Sequence, residues 1–272
     1  EVNMNIITKV KNKIPGVKEE PIIEFIAKEE YIDAVPEPTP AHKYIPTWYK
    51  ESDTFFNDDG TSADSFVDGN HMTVKRCMPF LEALTLGWIL PNSASVFIKN
   101  KSELTTNVDF EYVVPHPDRQ IKGYGLSKEQ TLLKFDTPWY VKAPKNTRLL
   151  ITPPMNRKND VFQPFYGVRQ IDGFLYQLFV LVTYNMSEEN VTIPDGDPLA
   201  QMIFFNDNGI INEGIVRPMT NDEITETKRV KHRMDITASY YKHKFWDPLP
   251  ASRNIPSKKD TSSKCPFFGS EK

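Results

Sequence analysis

The chain has 272 residues, with 33 Lys and Arg against 36 Asp and Glu, so its formal net charge is −3. Because hydrophobic residues make up 39% and aromatic residues 12% of the chain, the composition excludes a disordered protein. No apolar run reaches the roughly 18 residues that a membrane-spanning helix needs, and the near-neutral charge argues against a main nucleic-acid partner held through its phosphates.

The chain contains two cysteines, Cys77 and Cys265. They are too few for a disulfide framework or a structural zinc site, so we expect two unpaired thiols that behave as small hydrophobic residues. The first residues also lack the charged region, apolar core and small-residue cleavage site of a secretory signal.

Every second residue from 36 to 40 is proline. Proline has no amide donor and pushes the preceding residue towards an extended conformation. We therefore expect a polyproline-like arm here, leading into an aromatic segment that contains Trp48 and Tyr49. Residues 21–32 before it have apolar positions at helical spacing except at Ile23, so a short strand and a short helix both stay open.

Short runs rich in Val, Ile, Phe, Tyr and Trp then alternate with turn residues, and these residue types favour a pleated, half-buried surface. Residues 108–114 alternate in polarity, which predicts one face in the core and the other in solvent. Residues 174–184 are apolar at nearly every position, which predicts a central strand covered on both sides. The predicted strands indicate a sandwich or barrel: residues 72–75, 87–90, 95–98, 108–114, 139–142, 148–151, 174–184, 191–193 and 199–205.

The last third of the chain predicts a helix. Thr220 or Asn221 can cap it, and the acidic residues of its first turn suit the positive end of the helix dipole. An apolar stripe then recurs every three or four residues as far as Phe245, and prolines end the helix. The basic residues Lys228, Arg229, Lys231, His232 and Arg233 lie largely outside this stripe. They predict either a solvated helix face or a binding surface.

His116 and Asp118 have the spacing of the first two ligands in a two-His-one-carboxylate iron site, and His232 or His243 would supply the third. On one continuous helix, His232 and His243 would share a face. The prolines on both sides of His116 are more typical of a turn, so a surface loop is the favoured interpretation. We expect no metal and no cofactor.

Two motifs flank the long apolar strand: Gly-Val-Arg-Gln-Ile-Asp-Gly at residues 167–173 and Asp-Gly-Asp-Pro-Leu-Ala-Gln at residues 195–201. Together they resemble the trimeric dUTPase and dCTP deaminase family, which has a Gly-Val-Ile-Asp-type motif and a turn followed by Gly-Asp-Arg-Ile-Ala-Gln-Leu. The resemblance implies a jelly roll or a distorted β-barrel, in which residues 195–197 turn the chain into the strand that carries Gln201.

The catalytic residues of that family do not carry over. Gln170 stands where the family has the Asp that activates water, and an uncharged amide cannot act as a general base. Asp172 lies two residues further on, and only Arg157 remains of the phosphate-binding Arg-Ser-Ser. The resemblance therefore implies a vestigial nucleotide cleft of Arg157, Gln170, Asp172 and Gln201, without a catalytic residue.

Four further blocks, at residues 45–50, 73–88, 196–201 and 240–246, recur in the same order in an uncharacterised family that is common in tailed bacteriophages. This second resemblance covers residues 44–246 and implies a viral origin. In it, Cys77 is a buried packing residue between a strand and a helical segment.

We therefore expect a mainly β protein, a jelly roll or distorted β-barrel, with an N-terminal arm and linker (residues 1–69), a core (70–215) and a C-terminal helix and tail (216–272). Its expected function is that of a non-enzymatic bacteriophage protein, a virion or assembly component located in the virion or in the host cytoplasm. It would dock on other phage proteins and on copies of itself. Two alternatives stay open: a dUTPase-like protein that binds or hydrolyses deoxynucleotides, and an Fe(II)-dependent oxygenase. The candidate docking residues are Trp48, Tyr49, Lys228, Arg229, Lys231 and Arg233.

Overall fold

The computed structural model describes residues 22–65, 67, 70–100, 103–121, 123–186, 190–237 and 240–249. Within these residues the helices are α1 (Thr47–Glu51), α2 (Met78–Thr85), α3 (Asn221–Ile236) and α4 (Tyr240–Lys244). The strands are β1 (Ile23–Ala27), β2 (Thr39–Pro40), β3 (Phe55–Asn57), β4 (Ser62–Ala63), β5 (Asn70–Met72), β6 (Trp88–Pro91), β7 (Val96–Lys99), β8 (Glu103–Thr106), β9 (Val113–Pro115), β10 (Gln130–Lys142), β11 (Arg148–Thr152), β12 (Phe162–Pro164), β13 (Gly167–Gln170), β14 (Tyr176–Asn185), β15 (Asn190–Ile193), β16 (Pro198–Asn206), β17 (Gly209–Ile210) and β18 (Gly214–Pro218).

Two large sheets form the body of the described chain. The first has the strand order β12-β14-β10-β1-β18, with β9 also paired to β10, and the second has the order β13-β11-β16-β6-β2, with β17 also paired to β16. The predicted mainly β class with a C-terminal helix is confirmed. Each sheet has two free ends, so the described strands form packed open sheets and do not close into a barrel.

One hydrophobic core joins the sheets. The ring of Phe25 in the first sheet lies 4.8 Å from Trp88 and 5.7 Å from Phe204 in the second, measured between centroids. A smaller sheet, β15-β7-β8, adds Val96 and Ile98 to the same core. In β14 buried and half-buried residues alternate, so the strand expected to be covered on both sides has one face in the core and the other only partly covered.

The segment before the prolines is a strand and not a helix. Strand β1 is almost entirely buried and pairs with β10 in the antiparallel and with β18 in the parallel direction. The proline segment is attached to the body, because Trp139 Nε1 donates to the Pro36 carbonyl at 3.0 Å and β2 pairs with β6. The division at residues 69 and 215 stays a prediction. Strand pairing crosses both positions, since β1 is bonded to β10 and β18 spans residue 215.

Residues 108–114 are not a continuous strand; only β9, at their end, is extended and paired. Of the apolar residues in this segment, Tyr112 is the one that is fully buried in the core. Its hydroxyl donates to Asn92 Oδ1 at 2.6 Å and accepts from the Ser93 amide at 2.8 Å. Asn92 Nδ2 in turn donates to the carbonyls of Ala94 and Pro194. Burial raises the pKa of Tyr112, which keeps the hydroxyl protonated as a donor.

Three further expectations are wrong. Residues 72–75 do not form a strand, because β5 ends at Met72 and Thr73 caps a short 3-10 helix over Val74–Arg76. Cys77 is exposed and not buried; it is the cap residue that precedes α2. The C-terminal stripe is not one helix: α3 stops at Ile236, where Thr237 is extended, and α4 begins at Tyr240.

Replacing Tyr112 by Phe removes the hydroxyl between Asn92 and Ser93 and leaves both partner atoms buried. We expect the free energy of unfolding, measured by urea denaturation, to fall by about 1–3 kcal/mol. Tyr124→Phe is the matched control, since Tyr124 is exposed, and it should change stability by less than about 0.5 kcal/mol. Equal losses in the two variants would contradict the role given to the buried hydroxyl.

Candidate functional site

Gln201, one of the residues of the expected nucleotide cleft, is fully buried in β16. Its Oε1 accepts from the Met155 amide at 2.8 Å, and its Nε2 donates to the carbonyls of Ala83 and Leu86 at 2.9 and 2.7 Å. All three of these partners are main-chain groups. The side chain therefore joins α2 to the loop after β11.

Arg157 serves the same region of the fold. Its guanidinium donates to the carbonyls of Met155, Tyr44 and Leu84 at 3.2, 3.0 and 3.1 Å. The last carbonyls of a helix lack partners within the helix and carry partial negative charge, so a cation at the end of α2 satisfies both needs. Burial lowers the pKa of Arg157.

The turn after α2 admits only a glycine. Gly87 has a φ of +68°, and a Cβ there would lie 2.3 Å from the Met202 carbonyl oxygen. A residue with a side chain would be strained by its backbone and would collide with β16. The turn therefore holds the end of α2 tightly against the strand that carries Gln201.

Gln170 and Asp172 lie elsewhere. Gln170 is opposite Arg148 at one end of β11, whereas Gln201 is opposite Thr152 at the other end. Four residues of strand separate these positions, which is about 13 Å. The structure therefore brings Arg157 and Gln201 together but does not bring Gln170 and Asp172 to them.

Gln170 and Asp172 also bond to the main chain. Gln170 Oε1 accepts from the Asp247 amide at 2.5 Å, and the Gln170 carbonyl accepts from the Tyr241 hydroxyl at 3.0 Å. Asp172 Oδ2 accepts from the Asn146 amide at 2.8 Å. These contacts hold the segment after α4 and the turn before β11.

The histidines of the iron-site alternative are dispersed. The His116 ring lies 2.7 Å from Gln120 Oε1, and the side chain of Asp118 lies outside what the structure describes. His232 and His243 are exposed on two different helices, so the expected shared face does not exist. The described residues contain no group of three or more His, Cys, Asp or Glu that could hold a metal ion.

The candidate docking residues are mostly at the surface. The Trp48 side chain is 47% exposed, whereas Tyr49 is buried with its ring stacked on Phe80 at 6.0 Å. The four basic candidates of α3, Lys228, Arg229, Lys231 and Arg233, are all exposed. Arg229 forms a local ion pair with Glu226 at 2.8 Å.

A cavity of about 540 Å³ lies between α3 and the outer face of the first sheet. We call it the α3 groove. Its walls contain six Phe and Tyr rings together with charged side chains, and Lys134 and Asp136 of the wall form an ion pair at 2.7 Å. The motifs in the sequence do not single out this groove, although the alternation of Leu133 and Phe135 with Lys134 and Asp136 indicates a strand with a polar outer face. The residues that define the groove are Tyr31, Phe110, Tyr140, Phe179, Val230 and Met234.

Cations contact the aromatic floor of this groove. Lys134 Nζ lies 5.0 Å and the Arg169 guanidinium 4.1 Å from the centroid of the Phe179 ring. Burial raises the pKa of both Tyr140 and Tyr176, so their hydroxyls stay protonated at neutral pH. The lining suits an apolar or aromatic ligand with a few polar groups.

Helix α3 is fixed over the groove at its first turn. Thr220 and Glu223 form a reciprocal capping box, and Glu223 also accepts from Arg217 at 2.6 and 2.8 Å. Arg217 reaches Glu24 of β1 at 2.6 Å. These hydrogen bonds from Arg217 lower the pKa of Glu223 to about 2 and raise the pKa of Arg217.

Comparison of the chain with protein-family models, with curated proteins and with solved structures found no match. Among the described residues, none of the helices has the length and apolar character required to span a membrane.

Replacing Gln201 by Leu substitutes an apolar side chain of similar size and leaves two carbonyls and one amide without their partner. We expect the free energy of unfolding to fall by about 2–4 kcal/mol, measured by urea denaturation. Gln163→Leu makes the same chemical change at the one exposed position of β12 and should alter stability by less than about 0.5 kcal/mol. A stable Gln201→Leu protein would refute the structural role of this amide.

Glu223 makes the free energy of unfolding depend on pH in the acidic range. Its folded pKa of about 2 lies below its ordinary value of 4.5, so its contribution is complete above about pH 4.5 and is lost as the pH falls towards 2. We expect Glu223→Gln to lower stability at pH 7 by about 2 kcal/mol and to flatten the pH dependence between pH 4.5 and 2.

The control for that experiment is Glu226→Gln on the same helix. Glu226 pairs only with exposed Arg229, and exposed pairs contribute roughly 0–1 kcal/mol. Thermal unfolding followed across this pH range separates the two variants. Parallel curves for wild type and Glu223→Gln would contradict the clamp at the first turn of α3.

Proposed function

We propose that this chain is a non-enzymatic bacteriophage protein, a structural or assembly component that works by docking on other phage proteins and on copies of itself. The observation that carries the proposal is that two residues of the expected nucleotide cleft form hydrogen bonds within the fold. Arg157 and Gln201, the two side chains best suited to hold a nucleotide, are bonded to main-chain groups of α2, the loop after β11 and Tyr44.

Hydrolysis of a deoxynucleotide needs a base for the attacking water and donors or a metal ion for the phosphates. Gln170 is a neutral amide whose oxygen already accepts from the Asp247 amide. Three N–H groups of Arg157 are already bonded to main-chain carbonyls, that of Leu84 in α2 among them, and a phosphate that took their place would leave these carbonyls without donors. These contacts favour docking over nucleotide processing.

The exposed surface supports the same proposal. Trp48 and Met72 keep 47% and 54% of their surface exposed, and tryptophan is among the residue types that are enriched at protein-binding sites. The phage origin rests on the blocks between residues 44 and 246 that resemble the tailed-phage family.

Mass spectrometry of purified particles and assembly intermediates tests the proposal. We expect many copies of the chain per particle in the phage that encodes it. We expect Trp48→Ala to reduce its incorporation by about tenfold or more, as for a central aromatic contact, while Tyr124→Ala, at another exposed aromatic, leaves it unchanged. Absence of the chain from both kinds of particle would contradict a structural role.

Calorimetry with dUTP and dCTP adds an independent check. We expect no heat of binding with the purified protein. Micromolar binding that is lost in Arg157→Lys would instead support the nucleotide-processing alternative, because docking gives no reason for such affinity.

A further inference from the structure

An acidic, partly apolar surface surrounds the small sheet of β3, β4 and β5. Residues 51–65 contain five carboxylates and no Lys or Arg. All five are exposed, and we call them, with two exposed apolar side chains of the segment paired to β3, the hairpin surface: Glu51, Asp53, Asp58, Asp59, Asp64, Met72 and Val74.

The apolar members of the hairpin surface are held next to the acidic ones. Phe55 and Met72 are direct partners in the pairing of β3 with β5, and the Thr73 amide donates to the Thr54 carbonyl at 3.0 Å. The two cations that follow Val74 in the sequence contact the same part of the fold. Lys75 Nζ donates to the Lys50 carbonyl at 2.8 Å, and the Arg76 guanidinium lies 6.0 Å from the Phe55 ring.

A basic, partly apolar surface covers the second half of α3 together with α4. Residues 226–244 contain six Lys and Arg against two Asp and Glu. Ile236 and Trp246 keep 61% and 40% of their surface exposed beside these cations. We call this the helix surface, and its exposed basic residues are Lys228, Arg229, Lys231, Arg233, Lys242 and Lys244.

The helix surface is anchored to the body and is not a loose appendage. The Phe245 ring stacks on Phe174 at 4.1 Å, and the Tyr241 hydroxyl donates to the Gln170 carbonyl. Arg148 Nη2 donates to the Asp247 carbonyl at 2.8 Å. The backbone that carries the basic residues of α4 is therefore held against the body, so docking would not have to order this part of the main chain.

We infer that the hairpin surface of one copy docks on the helix surface of the next. The inference rests on the proposed function and names one of its partners, a second copy of this chain. Opposite charges on a chain of net charge −3 attract copies in one relative orientation, and apolar side chains within a charged rim are the usual composition of an interface. The ion pairs that the two surfaces already make are local ones, Asp58 with His71 and Glu226 with Arg229.

The two surfaces are different patches, so the contact is head-to-tail. Such a contact leaves one free hairpin surface and one free helix surface at the ends of every open assembly. It therefore builds a ring if the rotation between copies closes, and a filament if it does not. This property suits a component that is present in many copies.

Charge reversal at the two surfaces provides the test. One variant carries Lys228→Glu and Arg233→Glu; the other carries Glu51→Lys and Asp64→Lys. Asp53, Asp58 and Asp59 are kept because they are bonded to Ser62, His71 and Thr61 within the small sheet, and Arg229 is kept because of its bond to Glu226. The control reverses two exposed lysines of other segments: Lys99 and Lys128.

Analytical ultracentrifugation of the full chain reads out the result. We expect the wild type to form species larger than 31.3 kDa at low salt and to dissociate near 1 M salt, where charges are screened within about 3 Å. Each reversed variant alone should associate at least about tenfold more weakly. An equimolar mixture of the two should regain the association, because their surfaces are again opposite in charge, and the control should behave as wild type.

Circular dichroism and thermal unfolding verify that each variant is folded before it is compared. A wild-type chain that is monomeric at every salt concentration, or a mixture of folded variants that stays monomeric, would overturn the inference. If such a monomer is still incorporated into particles, docking on other phage proteins stands and only self-docking through these surfaces is lost. If the chain self-associates as expected but is absent from particles, the proposed phage role fails instead.

Discussion

A helix that ends inside a protein leaves carbonyl groups that need donors, and the end of α2 is where this requirement organises the molecule. The Gln201 amide and the Arg157 guanidinium supply those donors from two other parts of the chain. The same side chains bond to Met155 and Tyr44. Four segments that are distant in sequence thus meet around one set of hydrogen bonds, and the two residues best suited to bind an anion are consumed in holding the fold.

Helix α3, unlike the buried end of α2, is bonded to the body at its first turn and is mostly exposed along its length. This helix is fixed at its first turn by Glu223 and Arg217, and the segment after α4 is fixed by Gln170 and Arg148, while an open groove lies beneath its middle. Only Val230 of the helix is buried among the described side chains. The helix therefore adds little to the core and is free to present its charged outer face, which agrees with a role in contact with other molecules.

The sequence predicted those parts of the fold that depend on local pattern. The strands at β6, β7, β11, β15 and β16, and the capping of α3 by Thr220, follow from apolar runs and cap residues within a few positions of each other. The pattern could not show that Tyr112 bends inwards to Asn92, because that bond depends on a residue outside the segment. For the same reason, the motif resemblance grouped Gln201 with Gln170, although the two residues lie opposite the two different ends of β11.

Strand β1 lies between β10 and β18, and its parallel neighbour β18 comes from the far end of the β structure. During synthesis, an early apolar segment must therefore wait until almost all of the remaining strands have left the ribosome before its second edge is covered. Pairings between such remote segments form slowly, because a long loop must close first. For that interval Ile23 and Phe25 belong to a sheet in which one strand edge is uncovered, and uncovered strand edges of this kind are prone to aggregation.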